Sequence, residues 1–360
     1  MNKNTNVLNK NVVVGSRYSL RPWMAVAAII SLAGSAALAK DVAAAKLVTA
    51  ATYSRAETDR SFYNIQQQGG GINRFFKIRK ATPLDQQTVV RMNKDTLYSA
   101  AIVDTSKGAT ITVPKMPAGR YFSVLLVDND HYAPDVFYTP GVHQLPQKTK
   151  YLATVVRIQL LHADDPADVA LVNKLQDQFV ITAGSAAPLL PPKWDKGSLD
   201  ALTATYNKDF GKYDKYPDGF MGPRGQPDEK MRHLAVAGAW GLLPNKDAVY
   251  INYNPRLPAT GCYTATYKVP DNKGFWSITV YGSDGYMKSA NSVLNKLNGT
   301  VNADGGLTAY FGSAVACGNV ANRLDITDGW NFLMRVYRPG QSVLDGSYKL
   351  PSVKPIEVKA

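Results

Sequence analysis

The chain has 360 residues, of which 45% are hydrophobic and 19% charged, and a formal net charge of +13. That apolar fraction excludes a disordered chain, and two cysteines over the whole length exclude a disulfide-dense mini-protein. The length exceeds what a single hydrophobic core commonly serves, so two domains are expected.

Residues 1–39 carry Lys3, Lys10, Arg17 and Arg21 and no acidic side chain, followed by an apolar run from Trp23 that ends in Ala37-Leu38-Ala39. This is the pattern of a secretory signal, with cleavage between Ala39 and Lys40 and a periplasmic or secreted location. The alternative is an uncleaved membrane anchor, for which a run of about 17 residues is short against the roughly 20 that a bilayer requires. Cleavage would lower the net charge from +13 to +9. In an oxidising compartment Cys262 and Cys317 are expected to pair, closing a loop of about 54 residues worth roughly 4 kcal/mol. The alternative is two separate buried thiols.

From Val42 to Gln68 there is no Pro or Gly, and the apolar spacing predicts an amphipathic helix stopped by Gly69-Gly70-Gly71. Residues 40–61 are set apart as an N-terminal helix and 62–184 as a first β domain. Its predicted strands are 88–91, 96–103, 109–113, 121–127 and 151–161, separated by turn residues. Asp164-Asp165-Pro166 then predicts a capped helix to about Val180. Residues 185–227 hold six prolines around a helical stretch at 199–210 and read as a connector. A second β domain spans 228–354, with strands at 248–253, 261–269, 274–281, 307–311 and 330–338. Asp271-Asn272-Lys273-Gly274 is expected to turn a hairpin, and the strand 262–268 to have one solvated face. Asn302-Ala303-Asp304-Gly305-Gly306 is also expected as a hairpin turn. The fold class is mainly β with helical additions (α+β), arranged as two β-sandwich-like domains.

The chain has no G-x-S-x-G, H-E-x-x-H, P-loop or C-x-x-C motif, and its four histidines show no metal-ligand spacing. The densest polar stretch is Arg91 to Ser99. As a ligand-facing loop it offers Arg91 for an anionic group, Asn93 for polar contact, Asp95 as base or metal ligand and Tyr98 as donor. As a plain hairpin, Asn93 and Asp95 would bond their own backbone and Arg91 would pair with Asp95. Asp128-Asn129-Asp130-His131-Tyr132 follows an apolar strand, with Asp128 and His131 available to a divalent metal or a proton. Arg120 precedes that strand and adds a second cation. Basic residues are dispersed, with no Lys/Arg run longer than two, so no nucleic-acid partner is expected. A small-molecule ligand is the expected partner, with no membrane contact after signal cleavage.

The stretches Arg55–Arg60, Val90–Ser99 and Gly119-Arg120-Tyr121 resemble the bacterial domain-of-unknown-function family 1254. Phe275–Tyr281, Asn302–Gly305 and Ser342–Ser347 are similar to its partner, family 1214. The resemblance implies two β-sandwich-like domains with helical additions and no settled activity. The reading is therefore an exported hydrolase-like enzyme or a binding protein for a small polar or anionic molecule. In the enzyme version Asp95 or His131 is the general base, and Arg91 or Arg120 holds developing negative charge. The competing reading is an envelope-interaction or carbohydrate-binding module presenting Trp276, Tyr281 and Tyr310 on an open sheet face.

Overall fold

The computed structural model describes residues 44–356, so the signal segment with Ala39 and Lys40 lies outside the described residues. The first helix, α1 (Ala50–Gln68), begins eight residues later than the sequence suggests. Residues before it are extended instead, because Lys46 exchanges backbone hydrogen bonds with the 193–195 segment, at 2.7 Å to the Lys193 carbonyl and 2.7 Å from the Asp195 N–H. At its other end the Gly69 N–H returns to the Ile65 carbonyl, and Gly70 leaves the helix at φ 73°. Only glycine reaches that conformation without cost.

The N-terminal half contributes β1 (Phe76–Lys77), β2 (Thr96–Asp104), β3 (Ala109–Val113), β4 (Phe122–Asp128), β5 (Val136–Phe137), β6 (Gly141–Gln144), β7 (Tyr151–Gln159) and β8 (Val180–Ala183). They form an antiparallel sheet in the order β1-β2-β7-β4-β5 and a smaller sheet β6-β3-β8. The two pack face to face over Leu97, Ile111, Val124, Val156 and Ile158. Helix α2 (Pro166–Asp177) closes this core with Val172 and Leu175, and the Asp165 carboxylate accepts the Ala167 N–H as its cap. The strand expected at 88–91 is absent: those residues turn, and Arg91 sits at φ 55°, outside the β region.

Two helices follow. α3 (Lys196–Phe210) fills the expected connector, while α4 (Glu229–Gly238) was not foreseen, although Asp228 after Pro227 caps it through the Lys230 and Met231 N–H groups. Both pack against α1 around Tyr53, Leu199 and Val236.

The C-terminal half contributes β9 (Ala248–Tyr253), β10 (Tyr263–Tyr267), β11 (Trp276–Tyr281), β12 (Val293–Asn295), β13 (Leu307–Phe311), the short α5 (Ala314–Cys317), β14 (Arg323–Leu324), β15 (Asn331–Tyr337), α6 (Gln341–Leu344) and β16 (Lys354–Pro355). Its sheets run β12-β11-β15-β9 and β14-β13-β10-β16 and enclose Tyr267, Trp276, Phe311, Trp330 and Phe332. The expected hairpin at 271–274 is instead a crossover, since β10 and β11 belong to opposite sheets and the Lys273 N–H bonds to Arg338. The 302–306 turn likewise links strands of different sheets, so it is a turn but not a hairpin. On β10, Thr264 and Thr266 are the more open positions, in keeping with one solvated face. Cys262 and Cys317 are bonded in a disulfide that ties the start of β10 to α5.

Each large sheet is buried on both faces. The face not used by its sandwich turns toward the other half, and Tyr121, Leu125 and Val155 share a third core with Tyr250, Phe275 and Tyr337. Helices α3 and α4 add Phe210 and Leu234 to this core.

Candidate functional site

Between the two large sheets the third core leaves a cavity of about 1320 Å³. Strand pleating decides what points into it. On β2 and β7, Tyr98 lies directly opposite Arg157, and Arg157 opposite Ser123 on β4. On β9 and β15, Tyr250 lies opposite Arg335, and Arg335 opposite Ser277 on β11. Residues opposite one another on paired strands share a face. Each sheet therefore offers the same rung: an arginine on a middle strand, with a tyrosine on one neighbour and a serine on the other.

The cavity lining contains Lys80, Arg91, Arg157, Arg256 and Arg335 against a single acidic side chain, Asp214. Lys80, Arg256 and Asp214 are exposed at its rim, whereas Arg157 and Arg335 are buried. Among the described residues neither buried arginine forms an ion pair with a carboxylate. Arg157 donates through Nη2 to the Gly241 carbonyl at 2.8 Å and stands 5.3 Å from the centre of the Tyr98 ring. Its Nη1 is buried with no partner, as is Nη1 of Arg91. Arg335 is better satisfied, donating to Thr279 Oγ1 at 2.9 Å and to the Tyr281 hydroxyl and the Arg91 carbonyl at 2.8 Å each.

The 78–93 segment crosses from one half to the other. Gln87 bonds the Met287 backbone in both directions at 2.9 Å, and the Arg91 N–H bonds the Gly285 carbonyl at 2.8 Å. These anchors and Arg335 hold Arg91 in its left-handed conformation and direct its side chain along the cavity wall. Asn93 is the organiser. Its Oδ1 accepts the Asp95 N–H at 2.7 Å, and its two Nδ2 hydrogens are shared among the hydroxyls of Tyr337 at 2.9 Å, Thr96 at 3.2 Å and Tyr98 at 3.3 Å. The Tyr337 phenol thus acts as an acceptor toward the protein and keeps its own O–H for an occupant.

Burial pushes the Tyr250 phenol up to about 12 and that of Tyr337 well above its usual value. Tyr98 differs: burial again works upward, but the Arg157 charge, hydrogen bonds from Thr96 and the Asn93 amide, and Arg335 outweigh it and hold the phenol below its ordinary value.

The sequence-derived candidates therefore separate. Arg91, Asn93 and Tyr98 line the cavity. Asp95 lies behind its wall, accepting from Ser277 Oγ at 2.5 Å and Asn295 Nδ2 at 3.2 Å; burial raises its carboxyl above the usual range. It makes no ion pair with Arg91, so the plain-hairpin pairing is not formed. His131 is fully buried behind Trp240 and Gly241, where Nε2 accepts the Gly241 N–H at 3.1 Å. Burial and, secondarily, the Arg232 charge push it down to about 3, so it stays neutral and away from the cavity. Asp128 bonds the N–H groups of Asp130 and Tyr132, both at 2.9 Å, which shapes its own turn. Arg120 pairs with Asp168 at 2.5 Å within the first sandwich. Among the described residues no group of three or more His, Cys, Asp or Glu is gathered to hold a metal.

Trp276 and Tyr281 are buried and Tyr310 is half-buried, so these three do not form the open aromatic face of the binding-module reading. Sequence reasoning missed Arg157, Arg335, Tyr250 and Tyr337. The signal was present: VVRIQ and FLMRVY each place one cation within an otherwise apolar strand.

Residues 72–133 match the family described as Protein of unknown function (DUF1254), and residues 254–341 match Protein of unknown function (DUF1214), in the order the resemblance implied. Arg91, Asn93 and Tyr98 fall in the first match and Arg335 in the second. No curated protein matches the chain. The VPA0106 protein from Vibrio parahaemolyticus shares the fold with a TM-score of 0.65 at 16% identity, over 86% of this chain and 98% of its own. An uncharacterized protein from Burkholderia cenocepacia is similar with a TM-score of 0.51 at 16% identity, over 85% of this chain and 88% of its own.

Proposed function

We propose that the protein binds a small organic anion in the cavity between its two large sheets, and that it does so outside the cytoplasm. The observation that carries this is Arg157, only 6% exposed, with no carboxylate partner and one guanidinium nitrogen left without any acceptor. A buried unpaired cation is expensive to maintain, and a donor pair aimed at an anion is the ordinary use of a guanidinium fork. The tyrosines and apolar wall suit a ligand with a flat or apolar body. The disulfide and the secretory pattern of residues 1–39 support the exported location.

A second reading is favoured by one feature, the lowered phenol of Tyr98. If the bound anion is also turned over, Tyr98 is the group placed to exchange a proton with it, and neither Asp95 nor His131 reaches it. The test is calorimetry and thermal shift against small carboxylates, sulfonates and their neutral amides, on wild type and Arg157→Gln. Binding of anions but not amides, reduced at least tenfold by the substitution, is expected. Equal responses to amides and anions would sink the proposal.

A further inference from the structure

Resting on that reading, we infer that the natural occupant is a dianion with its two charges at separate ends, one held by Arg157 and the other by Arg91 beside Arg335. Two observations carry this. The first is charge balance. Three guanidinium groups, Arg91, Arg157 and Arg335, line the inner cavity, and the one carboxylate close behind them is Asp95, reached from Arg335 across Ser277. A monoanion would leave a buried guanidinium uncompensated, while a dianion neutralises the set. The second is the position of the unsatisfied donors. The two orphan nitrogens lie on different halves of the wall: Arg157 Nη1 on the β7 rung with Tyr98, and Arg91 Nη1 next to Tyr281, whose ring centre is 5.5 Å from the guanidinium. Asn93 and the hydroxyls of Tyr98 and Tyr337 within its reach line the same cavity. A doubly charged single group such as a phosphate ester would satisfy one end only, whereas a dicarboxylate with a flat spacer satisfies both.

The experiment compares terephthalate, benzoate and phenyl phosphate by calorimetry on the full exported chain. Terephthalate is expected to bind at least tenfold more tightly than either of the others. Arg91→Gln, in a half-buried turn that leaves both sandwich cores intact, should bring terephthalate down to the affinity that the wild type has for benzoate. Arg157→Gln should weaken terephthalate and benzoate alike, each at least tenfold. Equal affinity for benzoate and terephthalate, or phenyl phosphate as the tightest of the three, would overturn the two-ended dianion and leave the anion site standing. Failure of all three to bind would overturn both.

Discussion

Arg120 and Arg157 are both buried arginines, at 7% and 6% exposure, in the same half of the molecule, and their removal should have very unequal consequences. Arg120 has a counter-ion in Asp168, and Asp168 also receives the Leu161 and His162 N–H groups at 2.7 and 3.1 Å. Arg120→Met leaves that carboxylate buried without its cation, a loss of about 3–5 kcal/mol for a broken interior pair. Arg157→Met forfeits one charge-assisted hydrogen bond to Gly241, about 1.5–3 kcal/mol, and a cation–π contact worth about 0.5–2 kcal/mol. It also removes an uncompensated buried guanidinium, whose desolvation costs several kcal/mol, roughly the same amount. The expected net change for Arg157→Met is therefore within about 1 kcal/mol of zero, because cost and relief nearly cancel. Urea unfolding at pH 7, followed by tryptophan fluorescence with the disulfide intact, measures both variants, and matched slopes ensure that the same transition is compared. If Arg157→Met loses as much stability as Arg120→Met, the guanidinium is structural and the unpaired-cation argument fails.

His131 is held neutral in the fold, at about 3 against an ordinary 6.5, so below pH 6.5 the unfolded chain binds a proton that the folded chain does not. Its contribution to stability is complete above about pH 6.5 and is lost at up to about 1.4 kcal/mol per pH unit as pH falls toward 3. His131→Asn, which tolerates the φ of 63° at this position, should flatten that part of the profile; an unchanged acid slope would contradict the assignment. Reducing or replacing the Cys262–Cys317 bridge should cost about 4 kcal/mol, from a loop of 55-residue separation, and a denaturation midpoint insensitive to reductant would refute this. Tyr98→Phe should remove an early-ionising component of the tyrosine absorbance titration, since Tyr98 is held below its usual value while Tyr250 and Tyr337 are held above theirs. Loss of a late component instead would show that Arg157 does not govern it.

The strands were legible where residue type and turn chemistry agree: 109–113, 248–253 and 307–311 occur as read. The two-layer pattern of each half followed from them. What misled was pairing. A tight turn such as 271–274 looks the same whether it joins neighbours in one sheet or crosses between sheets, because that choice is made by packing on both sides of the strand. The stretch 88–91 is β-branched, but Gln87 and Arg91 are pulled into a turn by the 285–287 backbone, a contact nearly 200 residues away in sequence. For the site, Arg91, Asn93 and Tyr98 were visible as a dense polar cluster. Their partners were hidden by the opposite property, isolation: Arg157 and Arg335 sit alone in apolar strands, where a charge has no local reason to be. His131 and Asp128 were attractive as chemistry, but their bonds serve the turn that carries them and the loop at Gly241.

The position of the cavity follows from how the halves meet. Each sandwich spends one face of its large sheet on its own core, and the opposite face must find another partner or remain exposed. Joining the two leftover faces solves that problem for both, and tyrosine is the residue suited to such a seam, apolar along the ring and polar at the tip. The seam does not close fully: each sheet brings an arginine on its middle strand, and a cavity of about 1320 Å³ remains between them. Neither half holds the site alone. Tyr98 and Arg157 come from one, Tyr250, Arg335 and Tyr337 from the other, and Asn93 of the first half donates to Tyr337 of the second at 2.9 Å. Asp95 repeats the pattern, reaching Ser277 and Asn295 across the same seam. An anion that binds there therefore ties the halves together, and its affinity is a measure of how well they are already matched without it.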